Sequence, residues 1–446
     1  MSMRLDHTHD IGARSWVESA NAPQSAFPLQ NLPFAVFRRA GTAEAFRGGV
    51  ALGDYVIDLE AVAALGALSG MAAQAASACA QPTLNAFFAL GPDAWRALRH
   101  ALFAWFKAGD SAARTGVSID GLTSCLVPRN EVEYALPAQI GDYTDFYTSV
   151  DHARNIVKLM RPDGSLSPNF QWMPIAYHSR VSSIGLSGQP VRRPVGQRLA
   201  AGKREPELGA SARLDYELEL GIFIGVGNEQ GTRIPVASAD EHVFGLCLLN
   251  DWSARDIQTW ESVPLGPFLA KNFATTISPW IVTMDALAPF RTALARPEGD
   301  PQPLDYLSSQ ALPDQAAFDI QLEVALETAD ARRSGKGASR LSRTSFRHQY
   351  WSIAQMVAHH TIGGCNLRTG DLLGSGTISG PTASEAGALI ELSRAGQSPV
   401  KLDTGETRAF LEDGDAVVMS GWCERSGFAS IGFGENRSEV LPAILD

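Results

Sequence analysis

The stretch Leu214-Asp215-Tyr216-Glu217-Leu218-Glu219-Leu220 alternates apolar and acidic residues, and its reading decides the fold. On a β-strand, residues i and i+2 project from one face. Glu217 and Glu219 therefore aim at one point, while Leu214, Tyr216, Leu218 and Leu220 face the other side. Two carboxylates about 4 Å apart repel by roughly 4 kcal/mol at a protein-like effective dielectric. A cation removes that cost, and hard carboxylate oxygens suit Ca²⁺ or Mg²⁺. Taken alone, the run also fits an exposed strand with an acidic solvent face. Two further acids in the segments around it, Asp145 and Asp251, favour the cation.

The chain around this run has 446 residues, which suggests two domains, one of them large. Its 45% hydrophobic and 19% charged composition is that of a globular protein. A net charge of −11 argues against nucleic acid or an anionic membrane as partner. An anionic substrate stays open, since local basic residues could attract one. Cys79, Cys125, Cys247, Cys365 and Cys423 are scattered without CxxC spacing, which points to free thiols in a reducing compartment. Met1 to Pro33 is polar and unlike a secretory signal, and no run of about 18 apolar residues suggests a membrane span. A cytoplasmic location is expected.

The first third reads as a small unit. Residues 34–37, 49–52 and 55–59 are strand-like, and Pro92 to Lys107 reads as a helix with Pro92 in its first turn. Trp95, Leu98, Leu102, Trp105 and Phe106 give that helix an apolar stripe. Its acids and histidines look unclustered. A boundary is expected near Val127 to Pro137. Beyond it, residues 221–226, 244–249, 277–282 and 318–326 read as strands. Two helices are predicted, over 149–160, with Thr148 and Asp151 as a capping box, and over 348–362, stopped by Gly363-Gly364. Strands outnumber helices without βα alternation, which indicates a large β-rich domain in an α+β fold.

Asp145 lies just before a helix carrying His152, so both could border one pocket. The segment Asn250 to Gln258 reads as turn-rich and puts Asp251 beside Arg255 and Gln258, with Lys271 further on. These residue types suit a metal ligand flanked by donors for an oxyanion; Arg255 and Asp256 also fit surface ion pairs. His359-His360 lacks HExxH spacing, Gly374 to Gly380 lacks dinucleotide-loop spacing, and no GxSxG elbow occurs. Arg161 and Tyr177 carry no signal by themselves.

Several long strings resemble the fumarylacetoacetase (fumarylacetoacetate hydrolase) family: Asn31 to Phe34, Gly141 to Tyr147, Leu214 to Glu219, Asn250 to Gln258, Pro264 to Phe268 and Ser375 to Gly380. The likeness runs from about residue 28 to the end. It implies a β-rich α+β fold, with a small SH3-like N-terminal barrel over 28–135 and a large mixed β-roll catalytic domain over 136–446. Residues 1–27 form an N-terminal extension outside it. The resemblance also implies a cytosolic homodimer that hydrolyses 4-fumarylacetoacetate, a diketo acid, to fumarate and acetoacetate in tyrosine and phenylalanine catabolism.

By the same resemblance, Asp145, Glu217, Glu219 and Asp251 ligate a divalent ion, Ca²⁺ or Mg²⁺. His152 is the catalytic histidine and Glu391 the acid that orients it. Arg255, Gln258 and Lys271 stabilise the oxyanion, while Tyr147, Arg161, Tyr177, Gln258 and Thr377 contact substrate. Lys271 and Thr275 sit where a second, structural Mg²⁺ lies near Asp251. One departure stands out: Ser262 replaces a family tyrosine in Trp260-Glu261-Ser262-Val263-Pro264. Relatives that act as acylpyruvate hydrolases, or as isomerases or decarboxylases of 2-oxo diacids, use the same acids and form the competing expectation. A Ca²⁺-stabilised binding protein without activity is the remote one, because it has no use for His152, Glu391, Arg255 and Lys271.

Overall fold

The structure, a computed structural model, describes residues 5–109, 116–160, 164–309 and 312–445. The strands Phe34–Arg39, Arg47–Leu52, Tyr55–Asp58, Leu126–Pro128 and Val132–Ala135 pair antiparallel in one five-stranded sheet, the expected small SH3-like unit. The helix Pro92–Phe106 starts on Pro92, whose missing N–H costs nothing in a first turn, and stops where Lys107 becomes extended. Its stripe of Trp95, Leu98, Leu102 and Phe106 is buried.

That apolar face does not close on its own sheet. Phe34, Phe87, Phe88 and Trp95 share one core with Phe223, Phe244, Leu249 and Ile277 of the larger unit. The Phe88 and Phe244 ring centres lie 4.3 Å apart, and Trp95 meets Phe244 edge-on at 5.2 Å. The chain before Phe34 is packed too: Trp16 stacks on Phe106, Phe27 lies against Trp280, and His9 Nε2 reaches the Asp285 carbonyl at 2.8 Å. Folding this segment onto the helix brings Asp6 Oδ2 within 2.6 Å of His100 Nε2, with His7 beside them. The first third is thus not free of clustered histidines, a correction that sequence separation hid.

The larger unit is built on an eight-stranded mixed sheet. Its order is Ala176–Ser179, Tyr143–Phe146, Leu372–Gly374, Leu218–Ile224, Val243–Asp251, Thr275–Ile277 and Ile184–Leu186, with Val282–Thr283 pairing beside Val243–Asp251. A second sheet joins Ser339–Ser345, Gln321–Glu327, Ala416–Cys423, Ile431–Leu441 and Val191–Arg192. Leu218, Leu220, Ile222 and Ile224 enter the core between these sheets, where Leu322, Val324 and Met419 meet them. The opposite face of the same strand carries Glu219, Gly221 and Phe223. Phe223 joins the aromatic core of the small unit, so the acids stand at the far end of a face that is buried throughout.

Local differences from the sequence reading have local causes. The first predicted helix spans Val150–Met160, and its cap is Ser149, whose Oγ accepts the His152 amide at 3.1 Å. Thr148 is not available for a capping box, because its hydroxyl is committed to Gln349 and the Ser375 carbonyl. The second spans Ile353–Thr361, starting at a Ser352–Gln355 capping box instead of at His348. The segment expected to be turn-rich is the end of the strand Val243–Asp251 followed by the helix Arg255–Glu261. Among the described residues no helix is long and apolar enough to cross a membrane.

Candidate functional site

Three strands of one sheet, with the residue just before one of them, deliver the four acids. Asp145 sits in Tyr143–Phe146, opposite Gly374 on one side and Tyr177 on the other. Glu219 lies in Leu218–Ile224 opposite Leu249, and Glu217 precedes it where the chain bridges to Ala388. Asp251 ends its strand opposite Thr275. Carboxylate oxygens from all four lie within 4.8 Å of one another, and all four residues are buried. An acidic solvent face is therefore not what the Glu217–Glu219 pair forms: Glu219 is 0% exposed.

Cations inside the protein offset part of this charge. The Lys271 ammonium bridges Glu217 Oε2 and Asp251 Oδ2, the latter at 2.7 Å. Arg255 Nη1 donates to Glu217 Oε1 at 2.7 Å, and Arg255 Nε donates to Asp215 Oδ2 at 2.9 Å. Arg255 is thus buried at the site and is not the surface ion pair that its neighbour Asp256 allowed. Burial alone would raise Glu217, but Lys271 and Arg255 hold its carboxyl far below the usual range. Burial disfavours both cations, yet Asp251 and Glu217 keep Lys271 charged, and Glu217 and Asp215 keep Arg255 charged.

The remaining acids show what these two cations leave unbalanced. Burial and the Asp251 carboxylate push Asp145 well above the ordinary carboxylate range, and burial and Asp145 do the same to Glu219. Among the described residues, Asp145 Oδ1 and Glu219 Oε1 are buried without a hydrogen-bond partner. Unpaired buried oxygens are costly, and these two border the same cluster. Two internal cations face five carboxylates, counting Asp215, so negative charge is in surplus. An all-oxygen donor set with surplus negative charge fits a hard divalent cation.

Beside the cage, His152 Nδ1 lies 2.7 Å from Glu391 Oε2 in a buried pair. A carboxylate oxygen facing a ring nitrogen accepts, so Nδ1 is the donor of this pair and Nε2 is turned away from Glu391. Asn155 Nδ2 and Ser379 Oγ also donate to Glu391. Tyr147 packs edge-on against the His152 ring at 5.3 Å. Tyr177 donates its hydroxyl to Asp251 Oδ2 at 2.9 Å; burial and Asp145 raise that phenol, which keeps it a donor. Gln258 Oε1 accepts from Arg255 Nη1 at 3.2 Å, and Thr275 Oγ1 lies 3.3 Å from Asp251 Oδ1. Thr377 is buried in the run that follows Gly374. Arg161 lies outside the described residues. Ser262 Oγ turns back to the Gln258 carbonyl at 2.5 Å.

Other site residues carried no signal in the sequence. Asn155 and Ser379 are ordinary polar residues until folding sets them on Glu391. Glu261 is visible only as a charge, yet its carboxylate gathers the Phe268, Leu269 and Ala270 amides and shapes the turn leading to Lys271. The alternation around Glu217 could have drawn attention to Asp215, which shares its parity.

Oxygen donors beside a buried histidine–glutamate pair define a class, the enzymes of metal-assisted carbonyl chemistry. A family model described as "Fumarylacetoacetate (FAA) hydrolase C-terminal" matches residues 143–441, and one described as "Fumarylacetoacetase N-terminal" matches 30–137. The chain belongs to the fumarylacetoacetase family. It is 44% identical over 434 residues to a fumarylacetoacetase of Oryza sativa subsp. japonica, covering 97% of this chain and 98% of that one. A fumarylacetoacetase of Bos taurus is 45% identical over 431 residues, with 95% and 98% covered. A solved fumarylacetoacetate hydrolase from Exiguobacterium antarcticum overlaps 92% of this chain and 99% of its own, at 16% identity and a TM-score of 0.49.

Two outcomes test the cage. A Cβ on Gly374 would lie 2.5 Å from Asp145 Oδ1 and 3.0 Å from Glu219 Oε2. Gly374→Ala is expected to weaken divalent-ion affinity at least about tenfold, as disturbing atoms around ligands commonly does; unchanged affinity by calorimetric titration contradicts the cage. The second outcome concerns pH. Asp145 and Glu219 have folded values above their unfolded ones, so they destabilise the metal-free protein as pH rises from about 4 through those raised values. Metal binding should release protons, and affinity should climb over the same window. Titrations in buffers of different ionisation enthalpy read the proton count directly, and a count of zero at the low end of the window refutes it.

Proposed function

We propose that this chain hydrolyses the carbon–carbon bond of 4-fumarylacetoacetate, giving fumarate and acetoacetate, the last step of tyrosine and phenylalanine catabolism. The buried His152–Glu391 pair beside the carboxylate cage carries the reaction class. Near-full-length likeness to fumarylacetoacetases supports the substrate.

In this reading Asp145, Glu217, Glu219 and Asp251 hold Ca²⁺ or Mg²⁺, which when bound supplies Lewis-acid polarisation of the diketone. His152 Nε2 takes a proton from water as the water oxygen adds to the carbonyl, and Glu391 fixes the tautomer and stabilises the imidazolium. Arg255 and Lys271 stabilise the developing alkoxide, with Gln258 beside them. When the tetrahedral species collapses, the carbon–carbon bond breaks and the imidazolium returns its proton to the departing carbon. Tyr147, Tyr177, Arg161, Gln258 and Thr377 are the proposed substrate contacts. The Lys271 ammonium has no lone pair, so a second, structural Mg²⁺ near Asp251 would draw on Thr275 and main-chain oxygens.

One observation favours a second reading. Ser262 is short and turned toward the Gln258 carbonyl where the family carries a tyrosine, which suits an acylpyruvate hydrolase or a related 2-oxo diacid enzyme with a differently shaped pocket. Only the first reading yields fumarate and acetoacetate in equal amounts.

We further propose a cytoplasmic homodimer. Five unpaired cysteines fit a reducing compartment. Val263, Leu265 and Phe268 are exposed, Leu265 to 97%, on a turn that a second copy would cover. Sedimentation of the purified protein at monomer mass, across micromolar concentrations, would remove the dimer.

Loss of 4-fumarylacetoacetate absorbance, with and without chelator, tests the reaction. Turnover is expected to be metal-dependent and to fall about 10²–10⁴-fold in His152→Ala. Near-normal turnover in that variant takes the base role away from His152.

A further inference from the structure

Asp215 is fully buried, with 0% exposure. Its carboxylate nonetheless has four donors. Oδ1 accepts the Tyr216 and Leu389 amides, both at 2.8 Å, and Oδ2 accepts Arg255 Nε at 2.9 Å and the Ile390 amide at 3.1 Å. Arg255 belongs to the oxyanion side of the site. Leu389 and Ile390 open the turn whose next residue, Glu391, holds His152. We propose that Asp215 is a positioning residue that sets the Arg255 guanidinium and the Glu391–His152 pair relative to one another, as the joint between the two halves of the catalytic apparatus. The inference rests on the hydrolase reading above.

The geometry gives the joint its effect. A guanidinium is a rigid planar fork, so fixing Nε on Asp215 and Nη1 on Glu217 fixes the plane. Nη2 then stays buried and, among the described residues, without a hydrogen-bond partner, a donor available to a developing oxyanion. On the other side, two successive amides on one carboxylate fix the backbone at the start of the Glu391 turn. Glu217 bridges to Ala388 just before it, so Asp215 and Glu217 clasp the same segment from neighbouring positions. An error of about 1 Å between base and oxyanion donor is enough to cost about 10²-fold in rate.

Asp215→Asn keeps the shape but sets an NH₂ against two donors in either orientation, Arg255 Nε and the Ile390 amide or the Tyr216 and Leu389 amides. Measured in the metal-loaded enzyme, it is expected to lower kcat about 10–100-fold, with KM within about threefold and metal content unchanged. The decisive readout is a double-mutant cycle with Arg255→Ala. If Asp215 couples the two halves, adding Asp215→Asn to Arg255→Ala costs several-fold less than it does in the wild-type background, the remainder being its hold on the Glu391 turn. An equal loss in both backgrounds, or normal kcat in Asp215→Asn, overturns the proposal. Arg255→Lys guards against misfolding at position 215. It keeps the charge but cannot span Asp215 and Glu217, so it should lose nearly as much as Arg255→Ala. Near-wild-type kcat in Arg255→Lys also overturns the proposal. The cycle is run on the diketo acid that the wild-type enzyme turns over. Wild-type inactivity toward 4-fumarylacetoacetate removes the substrate assignment, and the cycle is then read on an acylpyruvate.

Discussion

Repulsion among buried carboxylates is the constraint around which this molecule is arranged. Asp145, Glu217, Glu219 and Asp251 place oxygens within 4.8 Å of one another, where solvent cannot screen them. At such distances each like-charge pair costs roughly 3–4 kcal/mol even at a forgiving effective dielectric. Lys271 and Arg255 relieve Glu217 and leave Asp145 and Glu219 pushed toward protonation. The cluster is therefore incomplete as a purely protein structure. A hard divalent ion would balance it.

The fold supplies the rigidity this arrangement requires. Acids on loops would swing apart, whereas Asp145, Glu219 and Asp251 stand on strands of one hydrogen-bonded sheet. The opposite face of the central strand is locked by Leu218, Leu220 and Ile222 in the core between the two sheets. Along its acidic face, Phe223 anchors the strand in the aromatic core shared with the small N-terminal unit. Among the described residues that unit places no group in the acid cluster, and it buries the far end of the face that carries the acids. Gly374 allows the cage to close, because no side chain fits between Asp145 and Glu219.

Chemistry is then divided by position. His152 stands on the helix Val150–Met160, where Ser149 caps its turn and Glu391 pairs with its ring from the turn Leu389–Leu392. Positive charge enters from the segment after Asp251, with Arg255 in the first turn of its helix and Lys271 beyond a turn tied by Glu261. Two acids at one-residue remove, Asp215 and Glu217, divide Arg255 between them. The buried charges thus form a single network, and moving one redistributes the rest.

The acid pair, the β-rich class and the residue types of the site were legible in the chain, because a period of two and the affinity of carboxylates for hard cations are local facts. Helix bounds differ by one to five residues, since the Thr148 hydroxyl goes to Gln349 instead of a capping box and the second helix starts only at its Ser352–Gln355 box, five residues beyond His348. The clustering of Asp6 with His100 escaped for the same reason, as did the supporting roles of Asp215, Asn155, Ser379 and Glu261. By itself the sequence determined which groups carry charge and which face of the central strand is apolar. Only the tertiary structure decided that the acidic face is buried, that Glu391 meets His152 across 239 positions, and that Arg255 is shared between two acids. The physical reason is that burial and long-range pairing depend on what packs against a residue, and one strand's pattern holds no information about its cover.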